Sequence, residues 1–494
     1  MPEESRNAVV QPHSIRQHHP LDLYFHPRSV AVVGASSRPD GRGNGFLHGL
    51  FSQQFPGPIY PVNPKADTIL GLRAYPQVLD IPGPLDYVIS SIPAAGVPEL
   101  LRQCAAKGVR LVHLFTAGFG ESGYQERADL EGEILRIARE GGVRLLGPNC
   151  MGLYCPAGHL AWQRGFPTEP GPVGIVSQSG ANADAIVGLG ALRGLRFSKV
   201  ISFGNGLDLN EADWFEYLGD DPETTVVGAY LEGVKDGRRF RQVLERVAHR
   251  KPVVILKGGR TEAGGRAAVS HTGSLAGNSQ VWDALCRQTG AFRVFGLDEL
   301  VDTLAAFRYL EPPRGPRVAI MGGGGGFSVL AADDCVAAGL EMPWFSAAVQ
   351  ERLREFVPVA GTSVRNPLDT GSLTRDEAHF TQAVRIITAS GEVDCFLVHV
   401  GGIGLFSDTD ADRTESLARV LVAGARATHL PMALVVRSNV PAYAESTQRL
   451  IEQCLAAGLA VFPTVAQAAS ALIKLRTHRQ NGERRQQSDG LYHH

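Results

Sequence analysis

The stretch Ser270-His271-Thr272-Gly273-Ser274-Leu275-Ala276-Gly277 concentrates residues able to do chemistry. A histidine stands among hydroxyl-bearing and glycine residues. Small neighbours let backbone and ligand approach closely, and hydroxyls and bare N–H groups suit an anion. Histidine is a nucleophile that can carry a covalent group. The same pattern also describes a loop histidine that merely caps a helix. A carboxylate that could orient such a ring is Glu232, in Glu232-Gly233 after the apolar run Val226–Leu231. An ordinary surface glutamate would read the same way.

Three small-residue turns offer anion sites. Each follows an apolar run and precedes a helical pattern, the arrangement in which free N–H groups and the positive dipole end point outward. The first is Gly34-Ala35-Ser36-Ser37-Arg38. The second is Ser177-Gln178-Ser179-Gly180-Ala181, which simple capping would also explain. The third is a run of five glycines, Gly322 to Gly326, with Gly323, Gly324 and Gly325 at its centre. It lacks the GK[ST] of a P-loop, which argues against nucleotide hydrolysis there.

The elements that must position these residues are short apolar strands alternating with helices. Strands are expected at 29–34, 58–62, 87–92, 111–115 and 144–146, with helices at 98–107 and 125–140 between them. A second series begins at 174–176 and includes 226–231 and 253–257. Its helices are 182–192 and 279–288. Glu311-Pro312-Pro313-Arg314-Gly315-Pro316 is a linker. A third series follows, with strands at 317–321, 395–400 and 432–436 and a helix at 327–338. Alternation of this kind predicts an α/β chain with parallel, doubly wound sheets. Ligands then bind beyond the carboxyl ends of the strands.

At the first such edge the turn lacks full GxGxxG spacing. The second strand ends in Asn63-Pro64-Lys65 rather than in a carboxylate. A carboxylate there would take an NAD ribose, whereas a lysine suits a phosphorylated ribose, as in coenzyme A. Ser90-Ser91-Ile92-Pro93, Thr116–Gly120 and Gly147-Pro148-Asn149-Cys150 add small residues at the same edge. A CoA-like ligand is the preferred reading, NAD(P) its competitor, and a solvated Lys65 the plain alternative. Phe119 and Trp162 could line an acyl pocket or simply pack a core.

The 494 residues suggest three domains. Apolar content of 44% and charged content of 20% mark a globular chain. Lys+Arg 48 against Asp+Glu 50, a formal charge of −2, gives no support for nucleic-acid or membrane binding. No apolar run approaches the roughly 18 residues of a membrane span, and the polar first twenty residues do not resemble a signal peptide. Seven cysteines without a CxxC pair argue against a zinc or other metal site and for reduced, cytoplasmic thiols.

Gly34-Ala35-Ser36, Pro61-Val62-Asn63-Pro64, Gly147-Pro148-Asn149-Cys150, Ser177–Ala181, Glu232-Gly233-Val234 and Ser270–Ser274 occur in one order. Together they resemble the NDP-forming acyl-CoA synthetases, the succinyl-CoA synthetase superfamily, and most closely the α part of ADP-forming acetyl-CoA synthetases. The resemblance spans about residues 21–475. It implies a Rossmann-like CoA-binding domain followed by two flavodoxin-like doubly wound domains. With a disordered arm at 1–20, the expected divisions are 21–160, 165–311 and 316–477, then a flexible tail at 478–494.

The resemblance implies that acyl-CoA, ADP and phosphate are reversibly converted to carboxylic acid, CoA and ATP. His271 would carry the phosphoryl group and Glu232 would orient it. Phosphate would lie at Ser177, Gln178, Ser179, Gly180, Gly323, Gly324 and Gly325. CoA would lie at Gly34, Ala35, Ser36, Ser37, Arg38, Lys65, Ser91, Pro93 and Asn149. No stretch is expected to form the family's ATP-grasp part, which holds ADP/ATP and Mg2+. A β subunit carrying it, in a hetero-oligomer, is therefore expected. The five glycines depart from the Asn-Ala-Gly-Gly common in relatives. The competing functions are a CoA-binding regulatory protein without ligase activity, which needs neither Glu232 nor His271, and an NAD(P)-dependent oxidoreductase.

Overall fold

The structure is a computed structural model. It describes residues 19–491 except 39, 40, 42, 267–277, 359–361, 370, 372, 401–410 and 439. Three sheets follow one another along the chain. The first contains β1 (Val30–Val33), β2 (Ile59–Val62), β5 (Tyr87–Ser90), β6 (Leu111–Leu114) and β7 (Arg144–Leu146), with a small hairpin of β3 (Thr68–Ile69) and β4 (Leu72–Arg73) beside it. Its order is β2-β1-β5-β6-β7, all parallel. β1, β5 and β6 are buried at every residue, which is why they read as unbroken apolar runs rather than alternating ones. Strand order reverses beside β1, so a crevice opens beyond the carboxyl ends of β1 and β5.

The second sheet contains β8 (Gly152–Tyr154), β9 (Val173–Ser177), β10 (Phe197–Ser202), β11 (Val226–Leu231), β12 (Val253–Lys257) and β13 (Phe292–Val294). Its order is β13-β12-β11-β9-β10-β8, parallel except for β8, which runs antiparallel to β10. The chain thus joins the second sheet at Gly152, before the division expected at 160. Backbone bonds stitch the two sheets. Asn205 N–H donates to Pro148 O at 3.0 Å, Leu207 N–H to Gly147 O at 3.0 Å, and Leu209 N–H to Leu145 O at 3.3 Å. Arg144 Nε adds a 2.7 Å ion pair with Asp208. Both sheets contribute to one core cluster.

The third sheet contains β14 (Val318–Gly322), β15 (Leu368–Asp369), β16 (Cys395–Val400), β17 (Met432–Val436) and β18 (Val461–Phe462). The order β15-β14-β16-β17-β18, all parallel, repeats the winding of the first sheet. Helix Val465–Leu491 ends the described residues and takes in the stretch from 478 to 491, for which a flexible tail is expected from the sequence. Ala468, Ala469, Ala471, Leu472 and Leu475 bury one face. The polar continuation is held by ion pairs and long reaches. Arg479 pairs with Glu483 at 2.9 Å, and Arg485 reaches Ala248 O at 3.3 Å. Charge alone made this stretch look like solvated chain. A buried first half nucleates the helix, so each further residue costs little to add.

The stitched junction depends on Gly204, whose φ is +58°. A Cβ there would stand 2.3 Å from Pro148 O and 2.4 Å from Asn149 O, both rigid backbone atoms. Gly204→Ala is expected to destabilise the protein by roughly 2–4 kcal/mol, seen as a lowered urea midpoint. Gly132 lies in the helix Gln125–Glu140 with open space around it. Gly132→Ala should instead stabilise the protein by about 0.5–1 kcal/mol, seen as a raised midpoint.

Candidate functional site

The crevice of the first sheet is a cavity of about 330 Å³, bordered by Gly34, Asn63, Pro64, Lys65, Ile92 and Gln103. Gly34 has φ +89°, and a Cβ on it would stand 2.7 Å from Ser91 Oγ. The two turns therefore touch, with Ser91 N–H and Oγ both donating to Val33 O. Asn63 Nδ2 donates to Ala35 O at 2.7 Å, and Asn63 Oδ1 accepts from Lys65 N–H at 2.8 Å. One asparagine thus ties the Lys65 turn to the glycine turn and presents an exposed ammonium at the crevice mouth.

Asn44 braces the other side. Its Oδ1 accepts from Ser36 N–H at 3.0 Å, and its Nδ2 donates to Arg38 O at 2.8 Å. Ser36 Oγ accepts from Arg38 N–H, leaving Ser37 and Arg38 exposed. Asn44 was missed in the sequence. Its only signal is an asparagine at the start of helix Asn44–Ser52, where caps are common. Pro93 is exposed and accepts from Gly96 N–H, opening the turn into helix Val97–Lys107. Asn149 adopts φ +58° and donates its N–H to Thr116 O, and Thr116 Oγ1 donates to Ile92 O at 2.8 Å. Asn149 is thereby joined to the Ser91–Pro93 turn. Phe119 and Trp162 are buried, and Trp162 Nε1 donates to Asp184 Oδ1 at 2.6 Å. Both are core residues.

The second shelf lies at the carboxyl ends of β9, β11 and β12. Ser177 Oγ donates to Ser179 O at 2.7 Å, and Ser179 Oγ caps helix Gly180–Leu192 by accepting from Asn182 N–H. A helix start carries N–H groups without intrahelical partners and the positive end of the dipole. Gln178 does something the sequence did not announce. Its N–H donates to Tyr230 O, and its Oε1 accepts from Glu232 N–H at 2.7 Å and from Gly233 N–H at 3.1 Å. It therefore fixes the backbone under Glu232. The buried Glu232 accepts at Oε1 from Tyr230 Oη, 3.1 Å away. Burial, and then the adjacent Glu232, push the Tyr230 phenol well above its usual range, so it stays a donor.

The two shelves meet. A Cβ on Gly180 would stand 2.5 Å from Met151 Cγ, and Met151 N–H donates to Ser202 Oγ at 3.1 Å. The segment carrying Asn149 thus packs on the helix start that follows Ser177-Gln178-Ser179. His271 and its neighbours from 267 to 277 lie outside the described residues. The described chain resumes at Asn278, which caps helix Ser279–Thr289. Among the described residues no cluster of three or more His, Cys, Asp or Glu could hold a metal ion.

In the third sheet, Gly322 ends β14 against the His399 ring, where a Cβ would stand 2.5 Å from Nε2. Gly324 has φ +103° and donates its N–H to Asp369 Oδ1 at 3.1 Å. Helix Gly325–Ala338 begins two residues before the expected Phe327. A carboxylate already occupies the Gly324 N–H, so this turn differs electrostatically from the Ser177 turn.

Removing the Gln178 side chain leaves the Glu232 and Gly233 N–H groups buried without that acceptor. Gln178→Ala is expected to cost about 2 kcal/mol, measured as a shift in the chemical-denaturation midpoint. An unchanged midpoint would show that those N–H groups find another acceptor.

Comparison with known proteins agrees with this geometry. A CoA-binding domain model matches residues 28–156, and a succinyl-CoA ligase-like flavodoxin domain model matches residues 170–307. The chain is 38% identical over 403 residues to the alpha subunit of ADP-forming acetate–CoA ligase II of Pyrococcus furiosus, covering 81% of this chain and 87% of that one. It is 34% identical over 441 residues to the alpha subunit of ligase I of the same organism, covering 86% and 94%. It superposes with a TM-score of 0.81 and 31% identity on dinucleotide-forming acetyl-coenzyme A synthetase 1 of Ca. Korarchaeum cryptofilum, solved with phosphate and ADP. That match covers 95% of this chain and 98% of the other. The chain therefore belongs to the NDP-forming acyl-CoA synthetase family, the acid–thiol ligases that include the ADP-forming acetate–CoA ligases.

Proposed function

We propose that this chain is the α subunit of an ADP-forming acyl-CoA synthetase that works through a phosphohistidine at His271. The observation that carries the reading is the joining of the two shelves. The Asn149 segment leaves the candidate CoA crevice and packs on the helix start beside Glu232. A thioester entering along the first shelf would reach the anion site of the second.

The chemistry then balances in three steps. A phosphate oxygen attacks the thioester carbonyl, the carbon–sulfur bond breaks, and CoA leaves as the thiol after taking a proton. A nitrogen of His271 attacks the phosphorus of the acyl phosphate, and the carboxylic acid leaves as carboxylate. ADP finally takes the phosphoryl group from nitrogen to give ATP. Gln178 and Tyr230 hold Glu232, and Glu232 would fix the imidazole tautomer as the carboxylate of a catalytic triad does. The N–H groups at Ser179 and Gly180 would face the phosphoryl oxygens. Gly323, Gly324 and Gly325 would complete the phosphate site, Gly324 sharing its N–H with Asp369.

We assign ADP/ATP and Mg2+ to an ATP-grasp β subunit in a hetero-oligomer. The match along nearly the whole length of chains named as alpha subunits supports this. Seven unpaired, buried cysteines support a cytoplasmic setting. Among the described residues no helix is long and apolar enough to cross a membrane. The acid substrate is a carboxylic acid presented as its CoA thioester.

Two measurements test this. In calorimetry, CoA should bind about tenfold more tightly than dephospho-CoA, the size of one charge-assisted contact. Lys65→Ala should erase the difference, and equal affinities in the native chain would remove the 3′-phosphate contact. Separately, labelled phosphate with a panel of acyl-CoAs and no nucleotide should label the chain. The label should survive alkali, be lost in acid and be absent in His271→Ala. Acid-stable label, or label that persists in His271→Ala, would place the phosphoryl group on another residue.

A further inference from the structure

The middle of β6 carries a histidine that the reaction as described does not use. His113 is fully buried, with the Phe46 ring edge-on at 5.4 Å and the Tyr87 ring stacked at 6.3 Å between centroids. Its Nε2 lies 2.9 Å from Cys150 O, and its Nδ1 is buried with no hydrogen-bond partner among the described residues. A carbonyl oxygen accepts only from an N–H, so the ring proton is on Nε2 and Nδ1 is bare. A buried polar atom without a partner is costly. An aliphatic side chain, like those of Val112 and Leu114 on the same strand, would fill this place without that cost. What the ring supplies in return is one N–H aimed at Cys150 O.

Cys150 lies where the chain crosses from the first sheet to the second. Three consecutive backbone groups are held there. Asn149 N–H donates to Thr116 O at 3.0 Å, and Cys150 O accepts from His113, both on the side of the first sheet. Met151 N–H donates to Ser202 Oγ at 3.1 Å, at the end of β10 in the second. Ser202 is buried and stands in register opposite Gly152, the first residue of β8. The change of sheet therefore falls in a single peptide, Cys150–Met151. Ring and segment also touch directly. Gly152 has φ +92°, and a Cβ on it would stand 2.4 Å from His113 Cε1. Met151 in turn packs on Gly180, the start of helix Gly180–Leu192. A shift of this peptide moves Asn149 relative to that helix start.

We propose that His113 and Ser202 are positioning residues that clamp the Cys150–Met151 peptide from opposite sides, and that the clamp serves transfer of the acyl group from CoA to phosphate rather than transfer of the phosphoryl group to His271. This rests on the proposed function. Only the first of those steps needs the thioester on the first shelf and phosphate on the second at the same time, so only that step feels the spacing between the shelves. Reacting atoms must come within about 3–3.5 Å, and a misplacement of about 1 Å can cost on the order of a hundredfold. An acyl phosphate carries both groups in one molecule and bypasses the crevice of the first sheet.

Two phosphoryl donors separate the steps on the full chain. Labelled phosphate, with whichever acyl-CoA of a panel labels the native chain fastest, reports both steps. Labelled acyl phosphate of the same acid reports the second step alone. His113→Leu keeps the bulk and removes the donor. It should lower the rate from saturating acyl-CoA and phosphate by about tenfold or more, and change the rate from acyl phosphate by less than about twofold. His113→Gln, whose amide N–H reaches the place of Nε2, should restore most of the first rate. Ser202→Ala is the milder change and should show the same split at smaller size, which keeps the test open if His113→Leu does not fold. Equal losses with both donors would mean that these bonds serve stability alone. Unchanged rates with both would mean that the clamp does nothing. Either result overturns the proposal.

A second arm needs no turnover. In the chain labelled with nitrogen-15 histidine, the His113 signals are assigned by their loss in His113→Gln. Burial pulls this imidazole down to about 4, so NMR should show a neutral ring with its proton on Nε2 throughout the neutral range. A ring protonated on Nδ1 alone, or one that titrates as an exposed histidine does, would remove the clamp and overturn the proposal. Failure of both donors to label the native chain would count against the phosphohistidine reading instead, and this arm would still decide whether the clamp exists.

Discussion

One side-chain amide oxygen holds the second shelf together. Gln178 Oε1 accepts from the N–H groups of both Glu232 and Gly233, across the ends of neighbouring strands β9 and β11. Strand ends are where ladder bonding stops, and buried N–H groups there need an acceptor. By supplying it from the turn that opens helix Gly180–Leu192, the chain sets the carboxylate and the helix start in one fixed relation. Tyr230 constrains the carboxylate from one side, and the Lys257-Gly258 backbone packs against it. The site, proposed to hold a dianion and a nucleophile together, gains most from groups that do not have to reorganise.

Under the proposed function that constraint serves only if the thioester arrives at the same place, and the segment from Gly147 to Gly152 is the one proposed to bring it there. It begins at the edge of the first sheet, carries Asn149 in a left-handed conformation, and ends by entering the second sheet as β8. Its backbone accepts from the N–H groups of Asn205 and Leu207, and Gly204 makes room for it. The two domains are therefore not beads on a linker. The junction joins the two shelves through bonded backbone, and its glycines serve close backbone approach.

Much of this was legible in the sequence because parallel strands buried on both faces leave unmistakable apolar runs. β1, β5, β6, β11, β12 and β16 all fall where those runs lie. The turns at Gly34 and Ser177 were equally plain, since strand, small residues and helix leave few other options. What escaped depends on tertiary pairing. β8 has three residues and an antiparallel partner far along the chain, so no local period marks it. Asn44 acts through two side-chain bonds to the Ser36–Arg38 turn, and Asp369 through a bond to Gly324, 45 residues away in sequence. Gln178 was read as a phosphate ligand, and its hold on the Glu232 backbone appears only in three dimensions. The far end of the last helix is not legible because polar composition hides a helix whose buried face lies at its start.

The account's central claim is a division of labour, in which this chain carries acyl and phosphoryl transfer as far as phosphohistidine and a separate ATP-grasp subunit takes the phosphoryl group to nucleotide. A chase tests it most directly. The chain is phosphorylated with labelled phosphate and acyl-CoA, freed of small molecules, and mixed with Mg2+ and ADP with or without the partner subunit. The account predicts labelled ATP only when the partner is present, with the label otherwise remaining on the chain. Rapid, stoichiometric ATP from the chain and ADP alone would contradict it.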